Sequence, residues 1–499
     1  MTRNVGRWLP PLAVGVVAFV GARVAMMPGV SFWDTAELQT VAPVLGTAHP
    51  TGFPTYVLLG FVANVLLSPF GDPAFRMNIF AGLCVALAAA VSVDLVRALT
   101  RSAVLGVMAG LGLAFTGIVW KIGTHAEAHA LHLALTAILL RLLVAWEDDR
   151  RDRTLVVAAV VFGLAAGNHS LTLLLAVPVA LYVVAVDRTV LDRPRLIAAC
   201  VAAAVLTVAL VYLELPLRAG PFRAPIVYGQ PDTWDGFWYI ALAEQFRGSV
   251  VGLFDALPAK AVDLVARTID AFGALAVFVP LAFVVTAVRR PTYALLTGSA
   301  VAITCFFAAS YVNAMIDRYY VVPVLMAWTW LAILAEGVAR MAGTGFDDEG
   351  RRRLQPVVAL VLAIVLLVPS AVTLTDRYGS VDRSHDIAAS EWLDRTLASL
   401  EPDAVVVSWW SYSTPLWYAQ VIEGRRPDIS IIDDRTRLDQ NLGDIYDVID
   451  SNLPHRPVYV IRIEPDDIAG ITQRYVTEPI NGFDPSLLAR VIRHREAGA

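Results

Sequence analysis

The sequence predicts a polytopic α-helical membrane protein with a small α/β domain at its C-terminal end. Three observations lead there. Of 499 residues, 57% are hydrophobic and 17% charged, whereas soluble domains are nearer half apolar and a quarter charged. Apolar runs long enough to cross a bilayer recur along most of the chain. From about residue 375 the pattern changes to short apolar runs alternating with helical ones. The net charge of -5 is modest and carries no nucleic-acid signature. Cys84, Cys200 and Cys305 fall inside apolar runs, which excludes a disulfide framework or a metal-spacing cluster.

Taken in order, the expected spans are about 8–29, 76–97, 102–121, 126–146, 154–168, 170–187, 196–215, 270–288, 292–312, 319–340 and 355–374. The first follows a basic head but is too long for a cleaved signal, so it reads as a retained helix. The run 154–187 is split at Gly167, Asn168 and His169. Segment 54–70 begins at Pro54 and reads as an outer juxtamembrane or re-entrant helix rather than a span. Positive charge supports this choice. With 54–70 not crossing, Arg97, Arg101, Arg150, Arg151, Arg153, Arg188, Arg193, Arg195, Arg289, Arg290 and Arg351 to Arg353 share the cytoplasmic side. About eleven spans follow, with the N-terminus cytoplasmic and the tail outside. Residues 1–374 form the membrane domain, with a first outer loop over 30–75 and a large one over 216–269. Residues 375–499 form an extracytoplasmic accessory domain. In it AVVVSWW, ISIID and PVYVIRI read as buried parallel strands, and no glycine-rich phosphate loop follows the first.

The stretch Ser31 to Arg76 organises the rest. It places Asp34 and Glu37 three residues apart, then His49 and Pro50. If WDTAELQTVA is helical, the two carboxylates share a face. Paired carboxylates at a membrane surface persist where they bind a cation, share a proton or act on a substrate. The alternative is local capping, with Asp34 as N-cap and Glu37 as its N3 partner.

Once sides are assigned, the outer ends of the spans carry Asp34, Glu37, His49, His125, Glu127, His129, His169, Arg218, Arg223, Asp317 and Arg318. Ionisable groups are costly at membrane depth, so convergence on one outward cavity is the economical reading. Any single one can equally be a cap, a snorkelling side chain or an interhelical hydrogen bond. On a helix His125, His129 and His132 would share one face, with Glu127 pointing elsewhere. That face could hold a metal, but no further ligand and no zinc-protease pattern accompanies it. No metal site is assigned and no cofactor is indicated, a divalent ion being left open.

A membrane cavity with a carboxylate base and arginines suits a lipid-linked phosphosugar. Arginine holds phosphate bidentately, and a carboxylate can take the proton of an attacking hydroxyl. Arg218, in YLELPLRAGPFRAP, is placed for such a phosphate.

The segments WDTAEL, GTAHPTGFPTYVLLG and RMNIFAGL follow the pattern D-[ST]-x-E-L, A-H-P-P-G-[YF]-P, R-x-N. With THAEAHALHL, GNHSLTLLLAVP, IDRYYVVP and TPLWYAQVIEGRRPDISIID in the same order, the chain resembles a membrane family formerly known only as a domain of unknown function. That family is placed with the GT-C glycosyltransferases and includes a eukaryotic protein O-mannosyltransferase. The resemblance implies a GT-C-like fold, a polyprenyl-phosphate sugar donor and transfer to an acceptor on the extracytoplasmic side. It implies Asp34 as catalytic carboxylate with Glu37 as its motif partner, and matches His49 and Pro50 to a first-loop His-Pro element. Position adds His49, Arg218, Arg318 and His169 for the donor and its phosphate. It adds His125, Glu127, Trp33 and Tyr56 for the acceptor or sugar. Departures are Thr51 where the family has a second Pro, His129 in place of a Tyr, and the missing Gly-Asp pair before PLWY.

The expected function is therefore inverting transfer of a hexose, with mannose the leading candidate, from polyprenyl phosphate to a protein or glycan hydroxyl, Asp34 acting as base. A lipid or glycan transporter is the alternative, disfavoured because no internal repeat is visible. A decayed scaffold is disfavoured by the joint presence of Asp34, Glu37, His49 and Arg218.

Overall fold

The computed structural model describes residues 2–344, 346–484 and 487–495; residues 485–486 and 496–499 of the expected tail domain lie outside that description. The membrane half begins with α1 (Thr2–Val24), α2 (Trp33–Val44), α3 (Pro54–Leu66), α4 (Pro73–Thr100), α5 (Ala103–Ala114) and α6 (Gly117–Ile122). It continues with α7 (Ala128–Asp149), α8 (Asp152–Asn168), α9 (Ala176–Val186), α10 (Pro194–Tyr212), α11 (Glu214–Ala219) and α12 (Trp234–Ala241). It ends with α13 (Leu257–Phe272), α14 (Val279–Arg289), α15 (Pro291–Ala308), α16 (Val321–Ala342), α17 (Asp348–Val372) and α18 (Leu374–Val381).

Among the described residues, 8 helical stretches are long and apolar enough to span a bilayer alone. The remaining three expected spans coincide with α5, α8 and the shorter stretch Ser170–Val186. In α4, α7 and α16, 72%, 78% and 83% of the most apolar window is buried, against 17–22% for α1, α10 and α17. The first three are therefore the bundle's interior and the others its lipid-facing rim. Small residues let α4 and α5 approach closely: a Cβ on Gly106 would stand 2.6 Å from the Val93 carbonyl, and one on Gly110 2.8 Å from that of Ala89. At its start α4 has Pro73 at the first helical position and the Asp72 side chain accepting from the Phe75 N–H at 3.0 Å. The 13 residues of α3 reach about 20 Å, short of the hydrocarbon thickness. It packs on α4, α8 and α10.

Past α18 the chain runs through α19 (Ala388–Ser399), β1 (Val405–Val407), α20 (Trp410–Val421), β2 (Ser430–Ile432), α21 (Asp434–Asp439), α22 (Ile445–Asn452) and β3 (Val458–Val460). α23 (Pro465–Arg474), β4 (Tyr475–Pro479) and β5 (Ala489–His494) complete it. The three expected strands pair in parallel, with Val405 opposite Ser430 on one side and Val458 on the other. Two further strands, not expected from the sequence, extend this sheet: β5 runs antiparallel to β3, and β4 to β5, giving the order β2-β1-β3-β5-β4. The strand period of two explains why β1 is buried throughout. Val406 packs into the core shared with the membrane helices, while Val405 and Val407 join Val448 and Ile449 on the opposite face.

The tail is latched to the bundle by α20, which packs on α2. The Tyr418 hydroxyl accepts from the Ala74 N–H at 3.1 Å and donates to Asp72 Oδ1 at 3.2 Å. Asn78 is the inner tie. Fully buried, it accepts from Gln39 Nε2 at 2.9 Å and from the Ala126 N–H at 2.8 Å, and donates to the Met27 carbonyl at 3.0 Å.

Candidate active site

The first turn of α2, the start of α7, the 311–319 segment, the 216–269 loop and the tail enclose a cavity of about 430 Å³. Asp34 lies in that first turn, where a carboxylate suits the helix dipole. Its Oδ2 accepts from Arg318 Nη2 at 2.9 Å and its Oδ1 from Trp410 Nε1 at 3.3 Å. Arg318 Nη1 donates to Glu127 Oε2 at 2.9 Å, so one guanidinium bridges two carboxylates. Its Nε is buried with no partner among the described residues. Glu127 caps α7: its Oε1 accepts from the His129 N–H at 3.1 Å and bonds His129 Nδ1 at 2.8 Å.

Glu37 stands behind the cavity wall, fully buried. Its Oε1 accepts from the His49 N–H at 2.8 Å, and its Oε2 is paired with His49 Nδ1. That fixes the imidazole against Phe53 and Trp410, with ring centroids 5.0 and 5.9 Å apart. Glu37 is thus placed to position His49 rather than to touch a substrate, and the capping alternative is corrected as well. The N-cap of α2 is Phe32, with no side-chain cap.

Burial by itself would raise the Asp34 carboxyl. The charges of His49 and Arg318 outweigh it and hold Asp34 below the ordinary carboxylate value. Burial would likewise lower His49, but Glu37 and Asp34 push it above its ordinary value. Against its own burial, Glu127 is held well below the carboxylate range by Arg318 and His129. The resting site is thus an alternating array of charges.

The structure brings Trp33, Asp34, His49, Glu127, His169 and Arg318 onto the cavity wall. His169 sits with its ring centroid 4.5 Å from that of His129 and 5.6 Å from that of Phe53. Three expectations are corrected. Arg218 does not line the cavity: its Nε and Nη2 donate to the Leu45 and Val44 carbonyls at 2.9 and 3.0 Å. Those are orphan carbonyls at the end of α2, which need a donor. Tyr56 is fully buried against Phe80, outside the cavity. His125 precedes α7 and bonds Thr124 Oγ1 at 3.2 Å, and burial pushes it down to about 4. The shared helical face of His125, His129 and His132 therefore does not form: His132 turns to Thr172 Oγ1 at 3.2 Å. Among the described residues no three His, Cys, Asp or Glu side chains are grouped to hold a metal ion.

The residues that sequence reasoning missed come from the tail and the large loop: Trp410, Asp433, Arg435 and Tyr228 all line the cavity. The TPLWY segment, just past Trp410, was the available signal. A second hollow of about 870 Å³ lies beside the first, lined mainly by apolar side chains of α13 to α16. Tyr319 faces the first cavity and Tyr320 the second.

Residues 34–192 match the family described as Protein O-mannosyl-transferase TMEM260 N-terminal domain. The match begins at Asp34. The chain is 25% identical over 432 residues to mouse (Mus musculus) Protein O-mannosyl-transferase TMEM260, covering 80% of this chain and 59% of the mouse protein. It therefore spans about three fifths of that relative's length. Among solved structures it is similar to ArnT from Cupriavidus metallidurans bound to undecaprenyl phosphate, with a TM-score of 0.62 at 14% identity over 96% of this chain and 97% of that one. The apo state of the same enzyme gives 0.57 at 13% identity over 98% of each chain. The chain thus has an ArnT-like fold, and its residues 34–192 match the domain described for the TMEM260 protein O-mannosyl-transferases.

Proposed function

We propose that this chain is an integral membrane glycosyltransferase that moves a hexose from a polyprenyl phosphate to an acceptor hydroxyl on the extracytoplasmic face, with inversion. The observation that carries the reading is the Asp34–Arg318 contact at 2.9 Å on the wall of the cavity. A base and a phosphate-binding cation in contact are the two groups this chemistry requires. Mannose as the sugar and a protein hydroxyl as acceptor follow from the name of the mouse relative. A lipid phosphate is consistent with the undecaprenyl phosphate named for the ArnT structure.

Arg318 is neutralised at rest by Asp34 and Glu127. A donor phosphate competes for the same guanidinium and can also take its unpartnered Nε. Asp34, released from its counter-charge, becomes the stronger base and accepts the proton of the acceptor hydroxyl. The acceptor oxygen bonds the anomeric carbon from the face opposite the phosphate. The carbon–phosphate-oxygen bond breaks, and its electron pair leaves with the phosphate on Arg318. His49, fixed by Glu37, keeps Asp34 ionised until then. The apolar hollow beyond Tyr320 is sized and lined for part of the lipid chain.

Membranes expressing the chain are given radiolabelled polyprenyl-phosphate mannose, and lipid, protein and polysaccharide fractions are separated. Label entering the protein fraction with wild type, and lost with Asp34→Asn, is the expected result. Equal transfer by both proteins removes Asp34 as the base. No transfer by wild type from mannose or other hexose donors removes the transferase reading.

A further inference from the structure

The tail presents two charged groups to the cavity that the proposed reaction leaves unused. Asp433 is 2% exposed. Its Oδ1 accepts from the Thr436 N–H at 2.8 Å, and its Oδ2 has no partner among the described residues. Two residues on, the Arg435 side chain is 9% exposed. Its guanidinium carbon lies 4.4 Å from the Tyr228 ring centroid and 4.8 Å from that of Trp417. Its Nη2 donates to the Val227 carbonyl, while Nη1 is buried without a partner.

Their neighbours are occupied. Arg462 holds Asp434 with contacts at 3.1 and 3.2 Å, and Asp439 Oδ2 accepts from the Gly229 N–H at 2.8 Å. Arg435 Nε is itself paired with Asp439 Oδ2 at 3.5 Å, so the free capacity of these two residues is the Asp433 Oδ2 oxygen and the Arg435 Nη1 nitrogen.

A buried polar atom without a partner is costly, and the cost is removed when a ligand supplies the missing hydrogen bond. An anionic ligand would satisfy Arg435 and repel Asp433, and a cationic one would do the reverse. A hydroxyl group both donates and accepts, so adjacent hydroxyls satisfy the two groups together. The surroundings suit a ring with apolar C–H faces. Tyr228 and Trp410 meet edge to face, with centroids 6.1 Å apart, and both line the cavity. Trp410 also reaches Asp34, which joins this wall to the reacting end.

We propose that Asp433 Oδ2 and Arg435 Nη1 bind hydroxyls of the transferred hexose, making the tail the sugar-selecting wall of the cavity. This rests on the transferase reading and extends it. Selectivity arises because a donor lacking the matching hydroxyl leaves Asp433 Oδ2 or Arg435 Nη1 buried without a hydrogen bond.

The test pairs enzyme and substrate deletions, using the full chain in membranes. Polyprenyl-phosphate mannose and its mono-deoxy analogues are assayed with wild type, Asp433→Asn and Arg435→Lys. Asparagine retains an oxygen for the Thr436 cap, and lysine retains a cation between the two rings. Each variant is expected to slow transfer of the intact sugar roughly 10- to 100-fold. It should equal wild type with the one analogue that lacks its hydroxyl partner. Variants that slow every donor by a common factor, or none, overturn the inference while leaving the transferase reading in place. Absence of transfer by wild type from every donor overturns both.

Discussion

At the scale of residues, the site is a chain of opposite charges, Glu37, His49, Asp34, Arg318 and Glu127, in which each group holds the next. His49 makes this measurable. Its pKa is raised by Glu37 and Asp34, so its protonated form stabilises the fold. That contribution is fully present below the ordinary histidine value, about 6.5, and is lost as pH rises through the raised value. The thermal stability of wild type in detergent should therefore exceed that of His49→Gln most at low pH, with the gap narrowing as pH climbs. A gap that widens with pH would contradict the charge assignment. Asp34, His49, Glu127 and Arg318 were legible because each is an ionisable group at the outer end of a span. Arg218 met the same criterion and faces elsewhere. Chain position gives the depth of a residue but not the direction of its side chain, and the open carbonyls of Leu45 and Val44 claimed this one.

At the scale of elements, α20 ties the tail to the segment 30–75. The Trp410 indole N–H reaches Asp34, and the Tyr418 hydroxyl reaches Asp72 and the Ala74 N–H. The two bonds separate function from stability. Trp410→Phe keeps an aromatic ring but removes a donor to a carboxylate, and should lower the transfer rate about 10-fold. Tyr418→Phe should leave the rate of folded protein near wild type and cost about 1 kcal/mol of stability, read as a lower melting temperature. The reverse pattern would mean that Trp410 serves packing alone. The membrane helices were legible from hydropathy, and the three parallel strands from short runs rich in Val and Ile. β4 and β5 were not. YVTEP carries an acidic residue and a proline, and ARVIRH carries two arginines and a histidine. Those are features of strands at or near a sheet edge, where one face meets water.

At the scale of the whole molecule, the interior helices α4, α7 and α16 form a frame with the cavity at one end, and the tail closes over it. The proposed orientation puts the 351–353 arginines in the cytoplasm and the sheet outside. In intact cells a membrane-impermeant maleimide should label Glu478→Cys and spare Arg352→Cys until the membrane is opened; the opposite pattern would invert the topology. The natural cysteines add little background, since Cys84 and Cys305 are buried and Cys200 lies on a membrane helix. In the proposed reaction a lipid phosphate takes Arg318 from Asp34. The most direct measurement of this exchange is the affinity of the solubilised full chain for polyprenyl phosphate, read from tryptophan fluorescence with Trp33 and Trp410 on the cavity wall. Arg318→Gln should weaken binding roughly 10- to 100-fold. Asp34→Asn, which removes the competing charge, should tighten it several-fold relative to wild type. Unchanged affinity in Arg318→Gln, or weaker binding in Asp34→Asn, would contradict the account.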